Sequence, residues 1–311
     1  MLSRTADSLY WTGRYVERAD YLARVLDAAM RLSTLPSGDG AGNPWESALQ
    51  SSGVAAAFAA RHGAPTEAAV RRFLAFDPDN PSSIVGCLQA ARTNARSVRT
   101  ALTVELWEAI NDAWNQLERM PRPKTRESFG QFLDWVKGVS LAFDGAAHRT
   151  MLRGDSYWFL RLGGEIERAD NTARLLDVKY HLLLPVGEPV GGGLDYFQWT
   201  TLLREVSALT AYRWVYRESV KPWLVADLLI LNRQMPRSLA SCQTAIVHLL
   251  DSMADAYGRR GECQRIAAAT LALLAESNIN GIFQAGLHEF ILDFIARNNR
   301  LGQAVSEQYL V

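Results

Sequence analysis

The chain has 311 residues, of which 48% are hydrophobic and 21% are charged, a composition typical of a globular protein with a sizeable core. Its 33 lysines and arginines balance its 33 aspartates and glutamates, which gives no general attraction to nucleic acid or to an acidic membrane surface. No apolar run approaches the ~18 residues of a membrane span, and Arg4 and Asp7 stand where a signal peptide needs an apolar core. Three cysteines without a Cys-x-x-Cys motif suit a reducing compartment. We therefore expect a cytoplasmic protein.

One charged segment occurs twice in the chain, 150 positions apart. Residues 13–27 and 163–177 share nine identities in fifteen positions, at 13, 17–20, 23, 24, 26 and 27 of the first copy. This similarity indicates an internal duplication. We predict two similar halves, 1–150 and 151–311, which form one compact unit and are related by a pseudo-two-fold axis.

The first copy has the periodicity of a helix. We expect its apolar face to lie against the core; this face carries Trp11, Tyr15, Ala19, Leu22, Leu26, Ala29 and Met30. The opposite face should be a charged surface stripe, with Glu17, Asp20, Arg24, Asp27 and Arg31 at helical spacing.

Arg18 points into the apolar face of this helix, so it must either reach the rim of the core or pair with an acid of another helix. Arg168 has the same angular position in the second copy, but its surroundings are less apolar. We expect a smaller loss of stability when Arg168 is removed than when Arg18 is removed.

The two Glu-Arg motifs form the candidate polar site, which comprises Glu17, Arg18, Asp20, Glu165, Glu167, Arg168 and Asp170. Two interpretations are open. The motifs hold ion pairs that fix how two helices cross, which we favour, or they form two related functional sites at the centre of the fold.

Turn-rich segments divide the rest of the chain into helices. Residues 33–44 and 185–193 are predicted connectors, each followed by an aromatic-led helix from Trp45 or Trp199. Residues 66–76 match 222–231 as a further helix pair. Asn80 and Pro81 are predicted to be the cap and first residue of the next helix.

That next helix has counterparts for Pro81, Ser83 and Cys87 in the second half, at Pro236, Ser238 and Cys242, and we expect both cysteines to be buried. It also carries three arginines on one face, which are Arg92, Arg96 and Arg99. They are suited to binding an anion such as a phosphate or a peptide carboxylate, or to pairing with the acidic stripes of the Glu-Arg helices. We favour the pairing.

No segment alternates with the period of a β-strand, so we predict an all-α, multi-helix bundle of ten to twelve helices, closed by a helix over 287–309. No Glu-x-x-His or His-Glu-x-x-His motif supports a metal site, and no phosphate-loop or Gly-x-Ser-x-Gly motif supports a cofactor site or a serine nucleophile. The sequence predicts neither a metal nor a cofactor.

Long motifs in this chain resemble the bacterial alpha-E domain family, an all-helical family known for its Glu-Arg motif. The resemblance covers nearly the whole chain, and it is carried by Glu-Arg-Ala-Asp at 17–20 and 167–170, by Ala91-Arg-x-Asn-Ala-Arg-x-Val-Arg99, by Glu105-x-Trp-Glu108 and by Gly286-Leu-His-Glu-Phe290.

The resemblance implies a context more than an activity. Members of that family are encoded beside, or fused to, circularly permuted ATP-grasp ligases, often with transglutaminase-like and proteasome-like peptidases. We therefore expect an accessory helical protein that binds such a ligase or its peptide substrate. The alternative is an enzyme that acts on an amide or activated acyl group at a Glu-Arg site.

Overall fold

The computed structural model describes residues 1–34, 43–181 and 192–310, without the side chains of residues 178–181 and 194. Over these residues the protein is all-α, as predicted, and no strand occurs in them. The predicted connectors at 33–44 and 185–193 lie mostly outside the described residues. The helices are α1 (Ser3–Leu32), α2 (Pro44–Ser51), α3 (Ala55–Ala59), α4 (Glu67–Ala75), α5 (Ile84–Ser97), α6 (Val104–Arg119), α7 (Arg126–Thr150), α8 (Asp155–His181), α9 (Gly193–Glu205), α10 (Leu209–Tyr216), α11 (Pro222–Ile230), α12 (Leu239–Tyr257), α13 (Glu262–Glu276), α14 (Ile279–Ala285) and α15 (Leu287–Val305).

Fifteen helices in the described ranges exceed the ten to twelve expected. The difference comes from short helices such as α3, with five residues, and α14, with seven. The helices predicted at 66–76 and 222–231 are confirmed as α4 and α11. The closing helix ends at Val305 and continues into a π-helical turn, Ser306–Leu310.

The two Glu-Arg helices, α1 and α8, pack directly against each other and run in the same direction. Their contacts advance together, from Gly13 beside Gly164 to Glu17 beside Arg168. Helix α1 also packs on α5 and α7, and α8 packs on α12 and α15. The pair is therefore the axis around which the other helices are arranged.

Two glycines allow the close approach of α1 and α8. A Cβ atom added at Gly13 would lie 2.1 Å from the carbonyl oxygen of Leu160, and one added at Gly163 would lie 1.9 Å from that of Tyr10. Tyr10 and Leu160 are themselves 150 positions apart, so each glycine meets the same point of the other helix. A side chain at either glycine would push the helices apart.

Matching turns lead into α5 and α12. The hydroxyl oxygens of Ser83 and Ser238 each accept a hydrogen bond from a backbone N–H three residues on, at 3.1 and 3.0 Å, so both are N-caps. Helix α5 therefore begins at Ile84, and the prediction that Asn80 and Pro81 start it is wrong. Asn80 instead bonds to the backbone of the preceding segment.

Helix α1 is buried on most of its surface because other helices surround it. Glu17 and Asp20 are only 3% and 1% exposed, so the predicted surface stripe is wrong for its central residues. These two acids face α8 and the turn before α12 instead of solvent. The buried positions of Cys87 and Cys242 are confirmed.

In the described ranges no single helix has both the length and the apolar character needed to cross a membrane. Glu262–Glu276 and Ile279–Ala285 would together be long and apolar enough, but the chain bends by 101° between them.

Candidate functional site

The Glu-Arg motifs of the two halves pair with each other across the α1–α8 interface. Arg18 donates from Nε and Nη2 to the two carboxylate oxygens of Glu167, at 2.6 and 3.1 Å. Arg168 donates from Nε and Nη2 to Oε2 of Glu17, at 3.1 and 2.7 Å. The arginine of each motif thus binds the glutamate of the other motif.

Arg237, from the turn before α12, encloses the pair formed by Glu17 and Arg168. It donates from Nη1 to Oε1 of Glu17 and from Nη2 to Oδ2 of Asp20, both at 2.6 Å. Arg24 binds the same oxygen of Asp20 at 2.7 Å. We call these five residues the closed cluster: Glu17, Asp20, Arg24, Arg168 and Arg237.

Arg168 also binds two acids outside the closed cluster. It donates to Oε1 of Glu165 and to Oδ2 of Asp144, both at 3.2 Å, and Arg161 bridges the same two acids. Arg168 therefore contacts three carboxylates, and only 10% of its side chain is exposed. Loss of a buried charge with this many partners would strand several others.

The pair formed by Arg18 and Glu167 has different neighbours. Arg14 gives Glu167 a second guanidinium partner, at 2.7 Å from Nε to Oε2. Arg174 binds Oδ2 of Asp170 at 2.7 Å. We call these five residues the open cluster: Arg14, Arg18, Glu167, Asp170 and Arg174.

A cavity of about 210 Å³ lies beside the open cluster. Ser82, from the turn before α5, stands on its wall with its hydroxyl oxygen 3.4 Å from Nη1 of Arg18. The polar part of the wall also includes Glu167, Asp170, Asn171 and Arg174. The guanidinium groups, the amide and the two carboxylates make this a polar cavity suited to hydrogen bonding.

Burial and ion pairing act in opposite directions on the acids of the two clusters. Burial would raise the pKa of Glu17, but the guanidinium groups of Arg168 and Arg237 outweigh it and hold that pKa at about 2. The pKa of Asp170 is raised by burial, which the pairing with Arg174 only partly offsets. Glu17 is therefore a fixed anion, whereas Asp170 takes up a proton more readily than an ordinary aspartate.

The structure reverses the expected order of the two motif arginines. The side chain of Arg18 is 25% exposed and lines the cavity, whereas that of Arg168 is 10% exposed. This burial argues against the smaller loss of stability expected for Arg168, because Glu165, which crowds it in sequence, is one of its partners. Arg18 combines both expected behaviours: it reaches the rim and also pairs with an acid of another helix.

Sequence reasoning missed four members of the ion-pair network, which are Arg14, Asp144, Arg161 and Arg237. A signal for Arg237 was present, because Pro-Arg-Ser at 236–238 aligns with Pro-Ser-Ser at 81–83 and differs only in the charged middle residue. Arg14 lies one helical turn before Arg18. Nothing in the sequence pattern pointed to Asp144.

Arg92 and Arg96 of α5, and Arg99 in the 3-10 turn that follows it, do not join this network. Arg92 donates to Oδ1 of Asn111 at 3.1 Å, Arg96 is exposed, and Arg99 lies over the ring of Trp107. The favoured pairing with the acidic stripes of the Glu-Arg helices is therefore wrong. Their proposed binding of an anion stays a prediction.

The candidate site offers groups for binding more than groups for covalent chemistry. Burial raises the pKa of the Cys87 thiol to about 12, far above that of a thiolate nucleophile. In the part of the chain that the structure describes, no three His, Cys, Asp or Glu side chains are grouped as metal ligands. A ligand in the cavity would meet the N–H donors of Arg18 and Arg174 and the carboxylate acceptor of Asp170.

These features define an all-helical protein whose Glu-Arg motifs are paired at the centre of the fold. The chain belongs to the Alpha-E family, described as a predicted alpha-helical domain with a conserved ER motif, which matches residues 1–310. The resemblance seen in the sequence motifs is thereby confirmed.

Two relatives are uncharacterised proteins of Mycobacterium bovis and Mycobacterium tuberculosis. Each is 24% identical to this chain over 257 residues, which covers 76% of this chain and 28% of the relative. The chain thus spans little more than a quarter of the length of these relatives. No solved structure matches it.

Proposed function

We propose that this chain is an accessory helical protein that works with a circularly permuted ATP-grasp ligase in the synthesis or modification of a peptide or amide-linked product. The observation that carries the proposal is the mutual pairing of the Glu-Arg motifs. A general acid or base must exchange a proton with its substrate, and Glu17 is 3% exposed and held by Arg168 and Arg237. A role in binding or positioning does not need such a group.

The longer relatives support a function beside other domains. In both mycobacterial proteins the region similar to this chain occupies 28% of the polypeptide, so it is covalently joined to a much larger remainder. The class of partner comes from the Alpha-E resemblance, whose members are encoded beside, or fused to, ATP-grasp ligases.

Co-purification and turnover together test this proposal. The tagged chain is expressed with the ATP-grasp ligase encoded beside it, and an unrelated ATP-grasp ligase is the control partner. We expect a complex with the neighbouring ligase alone, and a change in its turnover when the chain is added. Neither complex nor change in turnover would disprove the proposal.

A second function is an enzyme acting on an amide or activated acyl group at the open cluster. The observation in its favour is that Asp170, whose pKa is raised by burial, shares a cavity with the guanidinium groups of Arg18 and Arg174. Such an acid beside fixed donors is an arrangement that can transfer a proton and stabilise an oxyanion. Product formation by the chain alone, abolished by Asp170→Asn, is the expected result for an enzyme.

We also infer that residues 1–150 and 151–311 are duplicated halves related by a pseudo-two-fold axis between α1 and α8. The support is the reciprocity of their contacts: Arg18 with Glu167 and Arg168 with Glu17, and the packing of α5 on α1 and of α12 on α8. Since each half supplies the partner of the other's motif arginine, residues 1–150 expressed alone should not fold. A cooperative thermal transition of that fragment would contradict the inference that the halves form one unit.

A further inference from the structure

The cavity beside the open cluster contains buried polar groups that have no partner. Asn171 is 5% exposed and lines the cavity, and its Nδ2 has no acceptor among the residues that the structure describes. Oδ1 of Asp170 is likewise without a described donor; Oδ1 of Asp20 in the closed cluster is too, but Asp170 lines the cavity and Asp20 does not. Buried polar groups are almost always hydrogen-bonded, to protein or to a bound molecule. Asn171 therefore points to an occupant with an acceptor, and Asp170 to one with a donor.

In the closed cluster, a side chain of the protein itself occupies the corresponding space. Arg237 extends from its turn to Glu17 and Asp20, and its own side chain is 14% exposed. At the matching position of the first half, Ser82 is too short to reach Asp170, so the space remains. The cavity is thus the volume that an arginine side chain occupies in the other half.

The charged groups around the cavity favour an occupant that carries both a negative and a positive group. Two arginines and two acids line the wall, Arg18 and Arg174 with Glu167 and Asp170, and both carboxylate oxygens of Glu167 are already bound by Arg14 and Arg18. Arg18 and Arg174 keep 25% and 31% of their side chains exposed. Arg174 binds Asp170 through Nε, so its terminal N–H groups remain available to bind an anion.

The two acids on the wall, Glu167 and Asp170, limit which anion fits. A phosphate presents only acceptors and negative charge, so it would place an oxygen against the carboxylate of Asp170. A carboxylate with an ammonium group close by matches both partners, since the carboxylate meets the arginines and Asn171 while the ammonium donates to Asp170. The volume of about 210 Å³ is well above the ~15 Å³ needed for one water and below the roughly 300–1,000 Å³ of drug-sized pockets, which restricts the occupant to a small molecule.

We propose that this cavity binds a free α-amino acid, with its carboxylate on Arg18 and Arg174 and its ammonium group on Asp170. The inference stands on the cavity alone and does not depend on the partnership with a ligase. Neither does it require catalysis, because every contact it uses is a hydrogen bond or an ion pair.

Thermal shift of the full chain against each of the twenty α-amino acids tests the proposal. The best amino acid is then titrated by calorimetry beside its carboxylic acid without the amino group, and beside inorganic phosphate. We expect at least one amino acid to raise the Tm, and loss of the amino group to weaken binding by about ten-fold or more. No shift with any amino acid, or equal binding of phosphate, would overturn the proposal.

Ser82→Arg gives a variant in which the cavity is filled as Arg237 fills its counterpart. We expect it to bind the amino acid about ten-fold or more weakly while its Tm stays the same or rises, so that misfolding does not explain the loss. Ser219→Arg adds the same charge at an exposed position outside the cavity wall and should bind like the unmodified chain.

A second variant, Arg174→Gln, tests the same site without filling the cavity with a larger side chain. It should also weaken binding, because it removes a carboxylate partner, and it should do so without blocking the space. Undiminished binding in Ser82→Arg and in Arg174→Gln would place the ligand elsewhere and reject this site.

Discussion

The closed and open clusters share four motif positions, an arginine, a glutamate, an aspartate and a second arginine, and they differ at the residue that faces them from a neighbouring turn. Arg237 is the fifth member of the closed cluster, whereas Ser82 only borders the open cluster, whose fifth member is Arg14. With the arginine, both acids have two guanidinium partners and little space is left. With the serine, Asp170 has a single described guanidinium partner and a cavity of about 210 Å³ opens beside it.

The comparison separates a Glu-Arg motif whose charges are enclosed by the protein from one that borders a cavity. Both motifs contribute reciprocal ion pairs to the contact between α1 and α8, so we expect the loss of either to destabilise the fold. A buried ion pair gains little over apolar packing, but breaking it is costly. The shorter side chain at position 82 leaves the pair between Arg18 and Glu167 intact and removes only the enclosing charge.

The largest expected difference between the clusters concerns their motif arginines. Arg168→Ala should lower the free energy of unfolding by about 3–5 kcal/mol, because it removes a partner from three acids, Glu17, Glu165 and Asp144. Arg18→Ala should cost about half as much, since it removes a partner from Glu167 alone, which Arg14 still binds. Urea denaturation of the two single variants at pH 7 measures both values. Equal losses would show that the clusters are energetically equivalent and contradict the comparison.

Glu17→Gln tests the ionic character of the closed cluster. We expect a loss of about 2–4 kcal/mol at pH 7, because Arg168 and Arg237 lose their shared anion. The pKa of Glu17 is lowered from 4.5 to about 2 by these arginines, so its contribution is complete above pH 4.5 and is lost as the pH falls toward about 2. Stability measured between pH 7 and pH 2 should therefore show the gap between variant and parent closing below pH 4.5.

Gly13→Ala and Gly163→Ala test what the two halves keep in common. Each should lower the free energy of unfolding by about 1–3 kcal/mol through overpacking, because the added Cβ meets a backbone oxygen of the facing helix. The two losses should be equal if a pseudo-two-fold axis runs between α1 and α8. Gly145→Ala, on α7 with open space around the new Cβ, is the matched helical control and should cost nothing.

The sequence predicted the helices well because they depend on local pattern. Periodicity and turn residues located α4 and α11, and the matched serines before α5 and α12 fell in equivalent turns. The sequence did not predict which helices surround α1, since a helical wheel assumes one buried face. Helix α1 packs on several helices, so Glu17 and Asp20 are buried by neighbours that periodicity does not reveal.

The cavity could not be predicted from the sequence for a related reason. Its existence depends on Ser82 being short in a turn that approaches α8 from another part of the chain. Aligning the two Pro-x-Ser turns exposes the difference between Ser82 and Arg237, but the alignment alone does not say that Arg237 reaches Glu17 and Asp20. Those contacts depend on the tertiary structure, which the alignment does not contain.

The smallest expected effect on stability comes from Asp170 in the open cluster. Its pH dependence is opposite to that of Glu17. Burial raises the pKa of Asp170 above 3.8, so the folded state binds a proton more tightly than the unfolded chain. Its contribution is therefore most favourable below pH 3.8 and declines as the pH rises toward the folded pKa. Asp170→Asn abolishes this titration. As the pH rises from 3, thermal melts should show the free energy of unfolding of the variant increasing relative to that of the unmodified chain by up to about 1 kcal/mol. We expect this change even though the variant loses its pairing with Arg174. Glu17→Gln, measured over the same range, is the control of opposite sign. A difference between Asp170→Asn and the unmodified chain that moves in the same direction as that of Glu17→Gln would mean that both acids are equally enclosed, and the distinction between a closed and an open cluster would fail.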